Sequence, residues 1–226
     1  VYANPRWSEE DLLQAYGDVE DQTYLEERQG RELTFANHLK DMEKITGPAN
    51  GRSLLDVGAY IGVFLEKAKN ADWEVLGVEP SRWCVDVAKE HHLPVIEGTM
   101  DVLDPTEHQF DVVTMWDVIE HVDDPRAELK KAYNLLKPGG VIAVHTMDID
   151  SLAALVMGSR WPWFMDMHIH FFSKKGLCKL IEDVGFEVIS AGAKGRYLSA
   201  EYFASRLEGL CKPVGKVASF FVKLFR

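Results

Sequence analysis

Cysteine is scarce. Cys84, Cys178 and Cys211 are odd in number and far apart in the 226 residues, which excludes a disulfide framework or a cysteine-based zinc site and points to a reducing, cytoplasmic setting. No run reaches the ~20 uninterrupted apolar residues of a membrane-spanning helix, and Val1 to Arg6 lacks a signal-peptide pattern. Internal repeats and low-complexity tracts are missing as well. Nor is there a basic excess: a formal net charge of −11 would repel a polyanion, which argues against a nucleic-acid partner. What is present, 46% hydrophobic residues, suffices to bury one α/β core with helical additions at the ends.

The pattern divides the chain into a helical lead-in (1–50), a core (51–194) and a C-terminal helical extension (195–226). Ser8 and Asp11 resemble a capping box that starts a helix towards Tyr16. A second helix is expected over residues 23–45, where Phe35, Leu39 and Met42 keep helical spacing before a Gly47-Pro48 stop. Short apolar runs then alternate with amphipathic helices, at 53–57, 75–79, 94–97, 110–116, 141–146 and 186–190, which predicts a doubly wound, mostly parallel, Rossmann-like sheet. Asp124 reads as the cap of one helix, with Pro125 its first residue and Gly139-Gly140 its stop. Another runs from Ser173 to Gly185 with Leu177, Leu180, Ile181 and Val184 on one face.

The run from Leu54 through Asp56, Gly58 and Tyr60 to Gly62 places a carboxylate at a strand end and glycines in the turn entering a helix, where open α/β sheets bind ligands. Gly58 and Gly62 would let backbone approach a ligand closely, and the helix N-terminus favours an anionic group. A dinucleotide-binding loop has glycines spaced G-x-G-x-x-G. The spacing here is G-x-x-x-G, which weakens an NAD-dependent reading. Glu79 follows Gly58 by 21 residues at the end of the next strand, placed to accept hydrogen bonds from both hydroxyls of a ribose, so an adenosine-containing ligand is expected.

These segments resemble the class I SAM-dependent methyltransferases, especially their small-molecule branch. Asp56 to Gly62 is similar to the family's glycine-rich loop, Val78-Glu79-Pro80-Ser81 to its ribose segment, and Trp116-Asp-Val-Ile-Glu-His121-Val to its signature after the fourth strand. Leu136-Lys-Pro-Gly-Gly140 and His168-Ile-His-Phe-Phe-Ser173, followed by Gly185-Phe186, are also similar. The resemblance implies S-adenosyl-L-methionine (SAM) as cofactor, its methionine part near Asp56, Gly58 and Gly62, its ribose at Glu79, and its adenine by Pro80, Ser81, Gly98, Thr99 and Met100. Trp116 and Asp117 join this cofactor set. Tyr60 departs from the pattern by standing where the loop usually has its middle glycine; its side chain would narrow the pocket or help enclose the ligand. Val1 to Arg6 is similar to the segment that follows an N-terminal zinc ribbon in one group of these proteins; no ribbon cysteines stand here, as in a truncated or processed form. The family sheet normally ends with a seventh strand, for which residues 219–225 are the candidate.

If Asp117 begins a helical turn, i, i+3 and i+4 spacing puts Asp117, Glu120 and His121 on one side. His121 would then be a candidate base, as would His145 or His170. The same trio is similar to the acid-x-x-Glu-His arrangement of metal-assisted methyltransferases, with His145 or His170 to complete it. The preferred reading is local hydrogen bonding that shapes the cleft, with no metal. Residues 161–172 pack aromatics and the two histidines His168 and His170 before a helix, in the region that helps form the acceptor pocket in this branch; Phe171 and Phe172 read as lid or core. The expected function is therefore methyl transfer to an oxygen, nitrogen or carbon of a small-molecule acceptor such as a sugar, natural product or lipid-linked molecule. A non-catalytic SAM-binding or interaction module and an NAD-dependent enzyme are the alternatives.

At the C-terminus, residues 194–226 carry seven basic against two acidic residues, +5 locally, leaving about −16 on the body. Lys212, Lys216, Ser219, Lys223 and Arg226 form one polar stripe on a helix that is otherwise broadly apolar. Packing on the domain, self-association, or peripheral contact with an anionic membrane would cover that surface.

Overall fold

The computed structural model describes Tyr2 and residues 28–200. Helix α1 (Arg28–Thr46) buries Leu39 and Met42, as their spacing predicts, and Phe35 packs partly buried beside them; it also buries Thr34 and His38. The capping box at Ser8, residues 23–27 and the C-terminal stripe lie outside the described residues.

The core alternates strand and helix except between β3 and β4, which only a short 3-10 turn separates: β1 (Ser53–Val57), α2 (Val63–Lys69), β2 (Glu74–Glu79), α3 (Arg82–Glu90), β3 (Val95–Glu97), β4 (Phe110–Trp116), α4 (Pro125–Leu135) and β5 (Leu136–His145). Two further helices follow, α5 (Leu152–Met157) and α6 (Lys174–Val184). All five strands are parallel, in the order β3-β2-β1-β4-β5. A sheet covered on both faces needs near-continuous apolar strands, and successive residues serve opposite layers. Leu54 and Val112 face α1, α2 and α3, while Leu55 and Val113 face α4 and α6. No helix among the described residues is long and apolar enough to cross a membrane.

The helix caps form from the expected residues. The Asp124 carboxylate accepts from the Arg126 and Ala127 N–H groups, and Ser173 Oγ accepts from Gly176 N at 3.0 Å. Gly185 closes α6 at a φ of 114°, and Leu180, Ile181 and Val184 pack on the core.

One expectation fails. Gly139-Gly140 does not stop α4; the helix ends at Leu135 because Pro138 disfavours helical backbone in the residue before it. Instead β5 begins at Leu136, five residues early, and the register shift between Phe110 and Val112 absorbs the two glycines as a bulge. Residues 186–190 pair with no strand among the described residues. Among the described residues β5 is the sheet edge. Phe186 packs edge-on against Tyr133 instead, with ring centroids 5.1 Å apart.

Candidate active site

The carboxyl ends of β1, β2, β4 and β5 converge at one edge of the sheet. After β1 the chain turns sharply, with Gly58 N and Ala59 N both donating to Val78 O. Tyr60 itself adopts the left-handed conformation, at a φ of 52°, that the family's glycine would supply. Its N–H donates to Glu79 Oε2 at 2.9 Å, and Ser81 N donates to Glu79 Oε1 at 2.8 Å. Glu79 is buried, and burial pushes its pKa up while these two N–H groups pull it back. Each carboxylate oxygen thus accepts one backbone hydrogen bond and keeps capacity for a second.

Asp56, also buried, accepts a 2.7 Å hydrogen bond from Thr114 Oγ1. Burial pushes its pKa up to about 8; the Thr114 bond opposes the rise and the charge of Glu79 adds to it. Gly58 and Gly62 are required by the protein's own packing. At φ of 66° and 80°, a Cβ would meet Val118 Cγ2 at 2.7 Å and Leu93 Cδ1 at 2.3 Å.

Several residues expected near adenine are engaged elsewhere through their side chains. Ser81 Oγ caps α3 by accepting from Cys84 N, and Met100 is buried in the core layer of α4. Thr99 caps the short turn Met100–Val102 and donates to Asp101 Oδ2. Gly98, at φ 130°, donates its N–H to Glu79 O, which keeps this loop beside the carboxylate, next to Pro80.

Asp117 takes a left-handed φ of 58°, so residues 117–123 turn without forming the expected helix, and Asp117 makes its hydrogen bonds apart from the group of Glu120 and His121 although its charge reaches both. Asp117 accepts from His145 Nδ1 at 2.8 Å and forms an ion pair with Arg196. Burial favours its neutral form, but the Arg196 charge and the His145 bond outweigh that and hold its carboxyl well below the usual range. Beside it, Trp116 stacks on His38 with centroids 4.8 Å apart, and the His38 ring lies 5.2 Å from that of His145. Burial pushes the His38 pKa down to about 4.

The second group is Glu120, His121 and His168, whose ligand atoms lie within 4.8 Å of one another. His121 Nδ1 bonds to Met167 O and His168 Nδ1 to Trp163 O, each at 2.8 Å, which assigns the donor proton to Nδ1 and an acceptor lone pair to Nε2. Neither oxygen of Glu120 has a partner within hydrogen-bond distance among the described residues, although Thr146 lies near enough to favour its anion slightly. Burial, then the charge of Asp117, pushes its pKa up to about 8, and burial pushes His121 down to about 4. His145 and His170 stay outside this cluster. His170 Nε2 lies 3.1 Å from Asp123 O, and its N–H joins that of Ile169 on Glu120 O, tying residues 161–172 to the turn after β4. Phe171 packs on Phe164 and Phe172 on the core.

His38 and Arg196 were not foreseen in this group. His38 had a signal in its place on the apolar face of α1 beside Phe35 and Met42; Arg196, in a polar stretch, had none.

A methyltransferase-domain family model matches residues 24–191. The chain belongs to the class I SAM-dependent methyltransferases. The methyltransferase is 31% identical over 148 residues to the ubiquinone biosynthesis O-methyltransferase of Rhodopseudomonas palustris, covering 54% of this chain and 58% of that enzyme. The chain spans about half to two thirds of the length of such curated relatives. Among solved structures, a SAM-dependent methyltransferase of Thermotoga maritima, described as a possible histamine N-methyltransferase, aligns at 26% identity and a TM-score of 0.58, covering 74% of this chain and 76% of that one. The magnesium protoporphyrin IX methyltransferase of Synechocystis with bound S-adenosylhomocysteine shares the fold at 17% identity and a TM-score of 0.61, covering 82% and 90%. The residues present fit SAM: a buried Glu79 with acceptor capacity suits ribose hydroxyls.

Proposed function

We propose that this methyltransferase moves a methyl group from SAM to a small-molecule acceptor, at oxygen in preference to nitrogen or carbon. The Glu79 carboxylate, buried at the end of β2 and tied to the Tyr60 N–H of the preceding loop, is the observation that carries the reading. The O-methyltransferase names of the curated relatives support oxygen. SAM supplies a methyl on a sulfonium, and its transfer needs an in-line nucleophile and a dry pocket more than covalent help. The chain's part is then to hold the ribose at Glu79, to exclude water with Trp161, Trp163 and Phe164, and to take up the acceptor proton where the nucleophile is a hydroxyl. S-adenosylhomocysteine release with phenolic, sugar and amine acceptors tests this. We expect turnover with a phenolic acceptor. SAM binding without turnover on any class would favour a non-catalytic module.

A second reading rests on the three acceptors Glu120, His121 and His168, which face one another. We favour a protonated Glu120 there, consistent with its raised pKa, and no requirement for metal. A bound divalent cation would satisfy the same atoms. Activity that survives chelation supports the first reading; loss restored by magnesium or zinc supports the second.

We further place the protein in the cytoplasm, as its scarce cysteines suggest. The apolar face of residues 212–226 is covered by the domain or a second subunit in this reading, with an anionic membrane as the alternative.

A further inference from the structure

Residues 194–198 run between α1 and the end of β4, anchored at three points. Lys194 forms an ion pair with Asp41, and Tyr197 N donates to Thr34 Oγ1 at 2.9 Å, both on α1. Between them Arg196 reaches down to Asp117 and lies 5.4 Å from the Trp163 ring centroid. The approach needs Gly30, where a Cβ would stand 2.7 Å from Tyr197 O. The segment thus connects the lead-in helix, through Lys194 and Tyr197, to the end of β4 and the aromatic segment, through Arg196.

Asp117 uses both oxygens. Oδ2 meets Arg196, Oδ1 accepts from His145 Nδ1 at 2.8 Å, and the Asp117 N–H donates to His145 O at 2.9 Å. With its proton on Nδ1, His145 presents an acceptor lone pair at Nε2, which makes no hydrogen bond among the described residues. The other two candidate bases are less available. His121 faces Glu120 and His168, and His170 has Nε2 at a backbone carbonyl.

We propose that His145 is the catalytic base, and that Asp117 and Arg196 are its positioning residues. Asp117 fixes the tautomer, and Arg196 fixes Asp117. This rests on the methyl-transfer reading. As the acceptor oxygen forms its bond to the methyl carbon, the carbon–sulfur bond breaks with its electron pair left on sulfur. The acceptor proton passes to His145 Nε2, and the resulting imidazolium, facing the Asp117 carboxylate, later releases it to solvent. Among the described residues, the charged and titratable groups facing His145 are Asp117 just after β4, Arg196 from the 194–198 segment and His38 from α1, with Glu120 beyond Asp117. Asp117, expected from the sequence near the cofactor, is thereby reassigned to orientation of the base.

The test uses the full chain with ¹⁵N-labelled histidine and S-adenosylhomocysteine present, reading the His145 tautomer by two-bond nitrogen–proton correlation. Wild type should show the Nδ1–H form; Asp117→Asn and Arg196→Ala should mix tautomers, and Arg196→Lys should restore much of the preference. SAM affinity, by calorimetry, should stay within about twofold for His145→Gln and Arg196→Ala, since neither holds the cofactor. With an acceptor that turns over, His145→Gln should lose about 10²–10⁴-fold in kcat with KM for SAM little changed. An Nε2–H tautomer in wild type, or a tautomer unmoved by Arg196→Ala, overturns the proposal. So does a tenfold loss of SAM affinity in Asp117→Asn with the tautomer unmoved. Failure of every acceptor removes the methyl-transfer reading and the role of His145 as base, while the tautomer spectra decide the positioning separately.

Discussion

Asp56 makes the stability of the protein without cofactor depend on pH in a direction opposite to that of an ion-paired carboxylate. Its pKa is pushed from 3.8 to about 8, so across that window the native protein holds a proton that the unfolded chain has released. The associated stability is fully present below pH 3.8 and is lost as pH rises towards 8. One pH unit of displacement corresponds to about 1.4 kcal/mol. Because the carboxyl admits water and relaxes as it ionises, the loss expected between pH 5 and 8 is about 2–4 kcal/mol. Asp56→Asn cannot ionise, yet its side-chain oxygen can still accept from Thr114 Oγ1. Urea unfolding followed by tryptophan fluorescence, at pH 5, 6.5 and 8, should show wild type losing that amount relative to Asp56→Asn. Glu79 and Glu120 titrate in the same direction and Asp117 in the opposite one, but all three remain in both proteins. Parallel pH profiles for the two proteins would refute the reasoning.

Two further outcomes follow from particular positions. Gly62→Ala combines a positive φ with Leu93 Cδ1 2.3 Å from the new Cβ, whereas Gly51→Ala, at φ 73°, meets nothing within 4 Å. Denaturation should therefore show a loss of about 2–4 kcal/mol at Gly62 and about 1 kcal/mol at Gly51. Equal losses would contradict the packing role given to the loop. At the C-terminus, the intact chain and one ending near Arg206 should bind anionic vesicles alike or not at all; selective binding by the intact chain would favour the membrane alternative.

The sheet was legible because its strands are short apolar runs bounded by strong signals. The runs at 53–57 and 110–116 match the strands observed at those positions, and Asp124 and Ser173 cap the helices they were expected to cap. A strand exists only with a neighbour, and among the described residues none pairs with 186–190. The order of the loop and Glu79 was likewise readable, but the reason for its glycines was not: Val118 and Leu93 are distant in sequence. The grouping of Asp117, Glu120 and His121 failed because it assumed helical backbone where Asp117 takes a positive φ. That single dihedral sends Asp117 to His145 and Arg196 and leaves Glu120 with His121 and His168. Arg196 is contributed from 79 positions away, and no local pattern announces such a contact.

The central claim, that Glu79 holds the ribose of SAM, is tested most directly by titrating SAM into wild type and Glu79→Ala by calorimetry. Loss of buried hydrogen bonds from two hydroxyls predicts weaker binding by about 1–3 kcal/mol, or about 5–150-fold. The Tyr60 and Ser81 N–H groups also lose their acceptor in this variant, so Glu79→Gln, which keeps an acceptor oxygen, should fall between the two. SAM affinity unchanged in both variants, with folding intact, would contradict the claim.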